Sequence, residues 1–278
     1  MHRKQKVFTA HRPSEYLMKA LDLFKLDGRV AIVTGGAQNL GRQHALALAE
    51  AGASVAICDI AEEAGRNMEA ELQALGGRAF FAKVDVTQTD QIDAFVQAVI
   101  ARLGPIDILV NNAAIPSEGI PLHEVSEEQW RRMIDMNLSS MFYFGKRVAL
   151  HMIDRGKGGT IINLTSMAGV IIHNIFPRHN VTYAVSKAGV AHLTRGMASE
   201  WAQYGIRVNA ISPGSFHTAQ TAASAKIPEV LARNISSTPM KRYGRIDELK
   251  GAILFLASDA SSYATGSIVT VDGGFTIW

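Results

Sequence analysis

Seven short apolar runs punctuate the chain after Arg29: Val30–Thr34, Val55–Asp59, Ala79–Lys83, Ile108–Asn111, Thr160–Leu164, Arg207–Ile211 and Ile268–Val271. Nearly all are apolar throughout and rich in β-branched residues, the pattern of strands buried on both faces of a parallel sheet. Segments of about 12–20 residues with helical periodicity lie between them. Repeated strand–helix–strand units predict right-handed crossovers and helices on both faces. The expected fold class is α/β: one doubly wound domain over residues 26–278, with a parallel sheet of about seven strands.

Composition narrows the class further. The 278 residues, 47% hydrophobic and 19% charged, describe an ordinary globule with a large core. No apolar run approaches the ~18 residues that span a bilayer, so no membrane partner is expected. The net charge of +3 is uneven: residues 1–25 hold six basic side chains against two acidic, which leaves 22 basic and 23 acidic for the rest. The body is near neutral, and this argues against a nucleic-acid partner, which needs a basic face on the folded domain. Residues 1–25 lack the apolar segment of a secretory signal and are expected to form a basic extension, disordered or wrapped on a partner. The lone Cys58 lies in an apolar run, reads as a buried structural thiol, and fits a cytoplasmic protein.

The first strand leads into Thr34-Gly-Gly-Ala-Gln-Asn-Leu-Gly41 and then a helix. A glycine-rich turn at that junction lets backbone approach a pyrophosphate, which the helix N-terminus stabilises. Asp59 ends the second strand, where a carboxylate accepts hydrogen bonds from ribose hydroxyls and repels a 2′-phosphate. Ile60-Ala61-Glu62 supply no cation, and neither Gln38 nor Asn39 is basic. NAD is therefore expected in preference to NADP. A plainer role for Asp59, capping the next helix, is compatible with this.

Tyr183 and Lys187 stand four apart in a helical stretch, which puts the phenol and the ammonium on one face. A nearby ammonium favours the phenolate and draws a Tyr pKa from about 10 toward neutrality. Such a pair suits removal of a hydroxyl proton from an alcohol.

Together with Asp85-Val86, Asn111-Asn112-Ala113-Ala114, Asn137, Ser166, Pro213-Gly214 and Val271-Asp272-Gly273-Gly274, these motifs resemble, in order, those of the short-chain dehydrogenase/reductase family, from about residue 26 to the C-terminus. The resemblance implies a Rossmann fold and an NAD(P)(H)-dependent oxidoreductase acting on secondary alcohols or carbonyls. It assigns catalysis to Asn137, Ser166, Tyr183 and Lys187. Tyr183 is the general acid/base, Lys187 lowers its pKa and holds the nicotinamide ribose, Ser166 binds the substrate oxygen, and Asn137 holds a water leading to Lys187. It assigns cofactor contacts to Gly35, Gln38, Asn39, Leu40, Gly41, Asp59, Ile60, Asp85, Val86, Asn112, Ala113, Ala114, Tyr183, Lys187, Pro213, Gly214, Phe216 and Thr218, with Asn111 also near the ribose. The family's middle glycine is Asn39 here, a residue that tolerates left-handed backbone, and its final motif glycine is Ala114.

The Ser166–Tyr183 interval is about four residues longer than the family's usual, and the extra length falls in residues 171–180. That loop and residues 219–241 are expected to overhang the substrate, with His173 and Phe176, beside Ser166 and Tyr183, as its contacts. Arg178 is either a carboxylate ligand or a solvated loop charge, and the histidines lack a third ligand for a metal. Leu23–Arg29 and Asp272–Trp278 resemble gluconate 5-dehydrogenase-like and other sugar or polyol members. Steroid or cyclic alcohols, 3-oxoacyl-carrier-protein substrates and a catalytically silent NAD-binding scaffold are the alternatives. The family implies a homotetramer paired through the helices near 137–154 and 182–204, and Trp278 is expected to be packed.

Overall fold

A computed structural model of the chain describes residues 19–172, 180–218, 221–222 and 226–277. The expectations placed on residues 1–18, on His173, Phe176, Arg178 and His179, on part of the 219–225 segment and on Trp278 lie outside those residues.

The strands are β1 (Val30–Thr34), β2 (Ser54–Asp59), β3 (Ala79–Lys83), β4 (Ile108–Asn111), β5 (Gly159–Leu164), β6 (Ile206–Pro213) and β7 (Ile268–Val271). The helices are α1 (Asn39–Glu50), α2 (Glu62–Ala74), α3 (Thr89–Leu103), α4 (Glu127–Ile134), α5 (Ser140–Arg155), α6 (Val181–Trp201), α7 (Pro228–Ser237) and α8 (Lys250–Ala257). The strands form one parallel sheet in the order β3-β2-β1-β4-β5-β6-β7. This is the expected Rossmann-like α/β architecture. β6 runs two residues past its expected end: Pro213 sits opposite Val271, and the amide of Gly214 donates to the Val271 carbonyl.

Alternate side chains of each strand enter different cores, which is why the strands are apolar throughout. Ala31 and Val33 of β1, Val55 and Ile57 of β2 and Ile162 and Leu164 of β5 pack beneath α1, α2 and α8. Val30, Ile32, Ala56, Cys58 and Ile161 pack on the other face beneath α3, α5 and α6, around Phe95, Phe144 and Met197. The Val, Leu, Ile, Phe and Met side chains among these contribute roughly 1.5–3 kcal/mol each, so the sheet is the rigid base on which its edge loops stand.

Strand order reverses direction between β1 and β4, and the loops at the carboxyl ends of these strands diverge there to leave a crevice. The Thr34 hydroxyl ties the two strands at that point by accepting from the amides of Asn112 (3.0 Å) and Ala113 (3.1 Å). Among the described residues, no helix is long and apolar enough to cross a membrane.

Candidate active site

A cleft of about 390 Å³ opens over the carboxyl ends of β1, β2, β4, β5 and β6. Its floor is the turn between β1 and α1, whose glycines are required by contact. A Cβ on Gly41 would lie 2.0 Å from the Gly35 carbonyl oxygen and 2.5 Å from Asn112 Nδ2. Asn112 Nδ2 itself donates to the Thr34 and Gly35 carbonyls, both at 3.0 Å, and so holds the turn against the end of β4. Asn39 takes the left-handed conformation, φ 49°, that the missing glycine would supply. The N-terminus of α1 thus borders the cleft through Asn39, Leu40 and Gly41.

Asp59 sits beside this turn. Its Oδ2 accepts from the Ala37 amide (3.2 Å) and its Oδ1 from the Ala61 amide (3.1 Å), which fixes the carboxylate while leaving oxygen lone pairs available. It does not cap α2, whose N-cap is Ala61. Lys187 is the one cationic side chain among the described residues lining the cleft. The nearby cation of α1, Arg42, is paired with Glu71 at 2.5 Å.

The far end of the cleft is built by β5 and α6. Ser166, two residues beyond β5, accepts from the Ala168 amide (3.2 Å), which starts a short 3-10 turn over Met167–Gly169. Tyr183 lies in the first turn of α6, and its phenol shares a hydrogen bond with Ser166. Lys187, only 2% exposed, extends inward: its Nζ donates to the Leu164 carbonyl at 2.8 Å and lies 5.7 Å from the centre of the Tyr183 ring.

Electrostatics here correct the sequence expectation. Burial raises the Tyr183 pKa above its ordinary 10, and the Ser166 hydrogen bond opposes that rise. Burial also pulls Lys187 down from 10.5 to about 7. Desolvation acts on both groups and favours the neutral form of each. The proton that leaves most readily is therefore the ammonium's, and burial rather than an ammonium-stabilised phenolate governs the pair.

Asn137 also departs from expectation. It is fully buried on a π-helical turn, Asp135–Ser139, between α4 and α5. Its Oδ1 accepts from the Ile115 amide (2.8 Å), and its Nδ2 donates to the Ile115 carbonyl (3.0 Å) and to Ser186 Oγ (3.3 Å). The side chain thus braces the loop after β4 against α6 and does not line the cleft.

Gly35, Gln38, Asn39, Leu40, Gly41, Asp59, Ile60, Val86, Asn112, Ala113, Ala114, Ser166, Tyr183, Lys187, Pro213, Gly214, Phe216 and Thr218 all line the cleft. Asp85 does not, since its Oδ1 accepts from the Thr87 amide and hydroxyl. Asn111 does not either: it is buried and its Nδ2 donates to Asn163 Oδ1 (2.9 Å) beneath α5. The sequence reading missed Val84, Ile115, Met136, Leu164 and Thr165, while Thr221 falls in the 219–241 segment expected over the substrate. Of these, Leu164 and Thr165 immediately precede Ser166, so their nearness to a candidate was the available signal.

The family model described as enoyl-(acyl carrier protein) reductase matches residues 35–276. The chain belongs to the short-chain dehydrogenase/reductase family. Among relatives of this dehydrogenase/reductase, galactitol 2-dehydrogenase from Rhizobium johnstonii is 41% identical over 258 residues, covering 92% of this chain and 98% of that protein. A gluconate 5-dehydrogenase from Burkholderia cenocepacia, solved in complex with NADP and tartrate, superposes with a TM-score of 0.88 at 38% identity, over 94% of this chain and all of the other. A 7α-hydroxysteroid dehydrogenase, solved with NADH and 7-oxo glycochenodeoxycholic acid, superposes at 0.85 with 37% identity, over 92% and 98% of the two chains.

Proposed function

We propose that this short-chain dehydrogenase/reductase is an NAD-preferring oxidoreductase that interconverts a secondary alcohol, of the sugar or polyol class, and its carbonyl. The observation that carries the reading is the convergence of Ser166, Tyr183 and Lys187 on one cleft whose other end is the glycine turn and Asp59. The fit to a dinucleotide rests on that cradle: the close Gly35–Gly41 approach and the α1 N-terminus suit a pyrophosphate, and the fixed Asp59 carboxylate suits ribose hydroxyls. When bound, a nicotinamide cofactor supplies the hydride acceptor or donor.

The chain's own residues supply the rest. Gly35, Asn39, Leu40 and Gly41 would hold the phosphates, Asp59 the adenosine ribose, and Pro213, Gly214 and Thr218 the nicotinamide end. Ser166 Oγ would donate to the substrate oxygen and stabilise its developing charge. Tyr183 would take the hydroxyl proton in oxidation and return it in reduction. Lys187, poised near neutrality by burial, would take that proton on from the phenol and release it. Ile115 and Met136 would give the substrate an apolar wall.

NAD is preferred in this reading because Asp59 meets a 2′-phosphate with like charge, and among the described lining residues the one cation, Lys187, belongs to the other end of the cleft. The polyol class is supported by the relative at 41% identity named galactitol 2-dehydrogenase. The protein would work in the cytoplasm as a homotetramer. Exposed Trp130, Phe142, Leu150 and Val185 on α4, α5 and α6 support association, as does Gly196, beside which a side chain would meet open space.

A spectrophotometric screen of galactitol, gluconate, cyclohexanol and a hydroxysteroid with NAD and NADP tests this reading. Turnover of galactitol with NAD is expected, and tight NAD binding with no turnover of any alcohol would instead favour a silent scaffold. Asp59→Ala is expected to cut the preference for NAD about tenfold or more, measured as the ratio of kcat/KM for the two cofactors, and an unchanged ratio would remove Asp59 from the account.

A further inference from the structure

The acid/base group and Ser166 stand on different elements, α6 and the end of β5, so their chemistry depends on what fixes one against the other. Three successive residues of the β5 end do this. The Leu164 carbonyl accepts from Lys187 Nζ at 2.8 Å, Thr165 Oγ1 donates to the Lys187 main-chain carbonyl at 2.7 Å, and Ser166 meets the Tyr183 phenol. Lys187 is thereby held at both ends, head and backbone, by the last residue of β5 and the residue after it.

The Thr165 contact is closed to water. Thr165 is 4% exposed, and the 3-10 turn over Met167–Gly169 presses on the same point. A Cβ on Gly169 would come within 2.8 Å of the Lys187 carbonyl and 2.9 Å of Thr165 Oγ1. A helical carbonyl already accepts one bond from within its helix, so the Thr165 hydroxyl adds nothing the helix requires for its own sake. What it adds is registry of α6 on the sheet.

We propose that Thr165 is a positioning residue for the reaction, setting through Lys187 the height of α6 and hence the distance between Ser166 and Tyr183. This rests on the reading of Tyr183 and Lys187 given above. Displacements well below 1 Å cost large factors in rate at such sites. Without the Thr165 hydroxyl, Lys187 relaxes toward water. Its ammonium then keeps its proton to higher pH, and the phenolate loses its neighbour. Both changes move the acid side of the alcohol-oxidation profile the same way, upward.

The test compares wild type, Thr165→Val and Thr165→Ser, using NAD with the fastest of galactitol, gluconate and cyclohexanol. In parallel, the Tyr183 phenol is titrated by ultraviolet difference against Tyr183→Phe in the presence of NAD. Thr165→Val keeps the shape, and Thr165→Ala serves in its place if it does not fold. The expected result is a fall in kcat of about tenfold, little change in KM for NAD, and an upward shift of the acid limb and phenol midpoint by about half a pH unit. Thr165→Ser is expected to restore all of these. A variant with unchanged kcat and midpoint overturns the proposal, and so does a uniform loss of activity with no shift, or a failure of serine to rescue. If Tyr183→Phe itself keeps full activity, the site reading fails first, and separately from Thr165.

Discussion

Lys187 shows at the scale of one residue how a functional site is maintained against stability. A lysine that is 2% exposed and pulled to about 7 is held there by a single carbonyl and by packing. Its unfolded value is about 10.5. Between these two values the unfolded chain binds the extra proton, so stability rises with pH from about 7 to 10.5, by on the order of 5 kcal/mol over the window. A Lys187→Met variant lacks that term. Its melting temperature, followed by circular dichroism across pH 6–10, is expected to exceed that of wild type most at the acid end, with the gap narrowing as pH rises. A constant gap would mean that Lys187 titrates normally in the folded protein. The roles of Tyr183, Lys187 and Ser166 were readable as candidates from spacing and motif, because an i,i+4 pair on a helix needs only local geometry. The commitments of Asn137 to Ile115 and Ser186, of Asn111 to Asn163, and of Thr165 to Lys187 were not. Each joins residues 22 or more positions apart, and one hydroxyl or amide carries no periodicity to read.

At the scale of elements, the strands were readable because each is buried on both faces, and an all-apolar run of β-branched residues has few other homes. The β1–α1 turn was readable as well, with Asn39 in the left-handed conformation that its chemistry permits. The apolar side of the cleft was harder: Val84, Ile115 and Met136 lie in or beside loops where no period marks them. The turn makes a sharp prediction. The Cβ of Gly41→Ala would collide with the Gly35 carbonyl and Asn112 Nδ2, so the turn must move off its seat. NADH affinity, read by fluorescence titration, is expected to fall about tenfold or more, with overpacking costing roughly 1–3 kcal/mol of stability. Undiminished affinity would mean that the turn does not cradle a dinucleotide.

At the scale of the whole molecule, the sheet serves as a platform. Two cores fix the strands, the strand order leaves one crevice, and the described lining residues come from strand carboxyl ends, the loops beyond them and the helices packed beside those loops. Helices α4, α5 and α6 carry Trp130, Phe142, Leu150 and Val185 partly exposed to solvent. If those helices form the contact of the proposed homotetramer, Phe142→Glu is expected to lower the mass measured by light scattering, and an unchanged mass would place the contact elsewhere. The central claim is that Tyr183 moves the proton in a cleft that also binds NAD. Tyr183→Phe tests it most directly, with turnover of galactitol or the best alcohol of the screen measured beside NADH binding. The account predicts a loss of turnover of about a hundredfold or more with NADH affinity held within about threefold. Turnover that persists at the wild-type rate would contradict it.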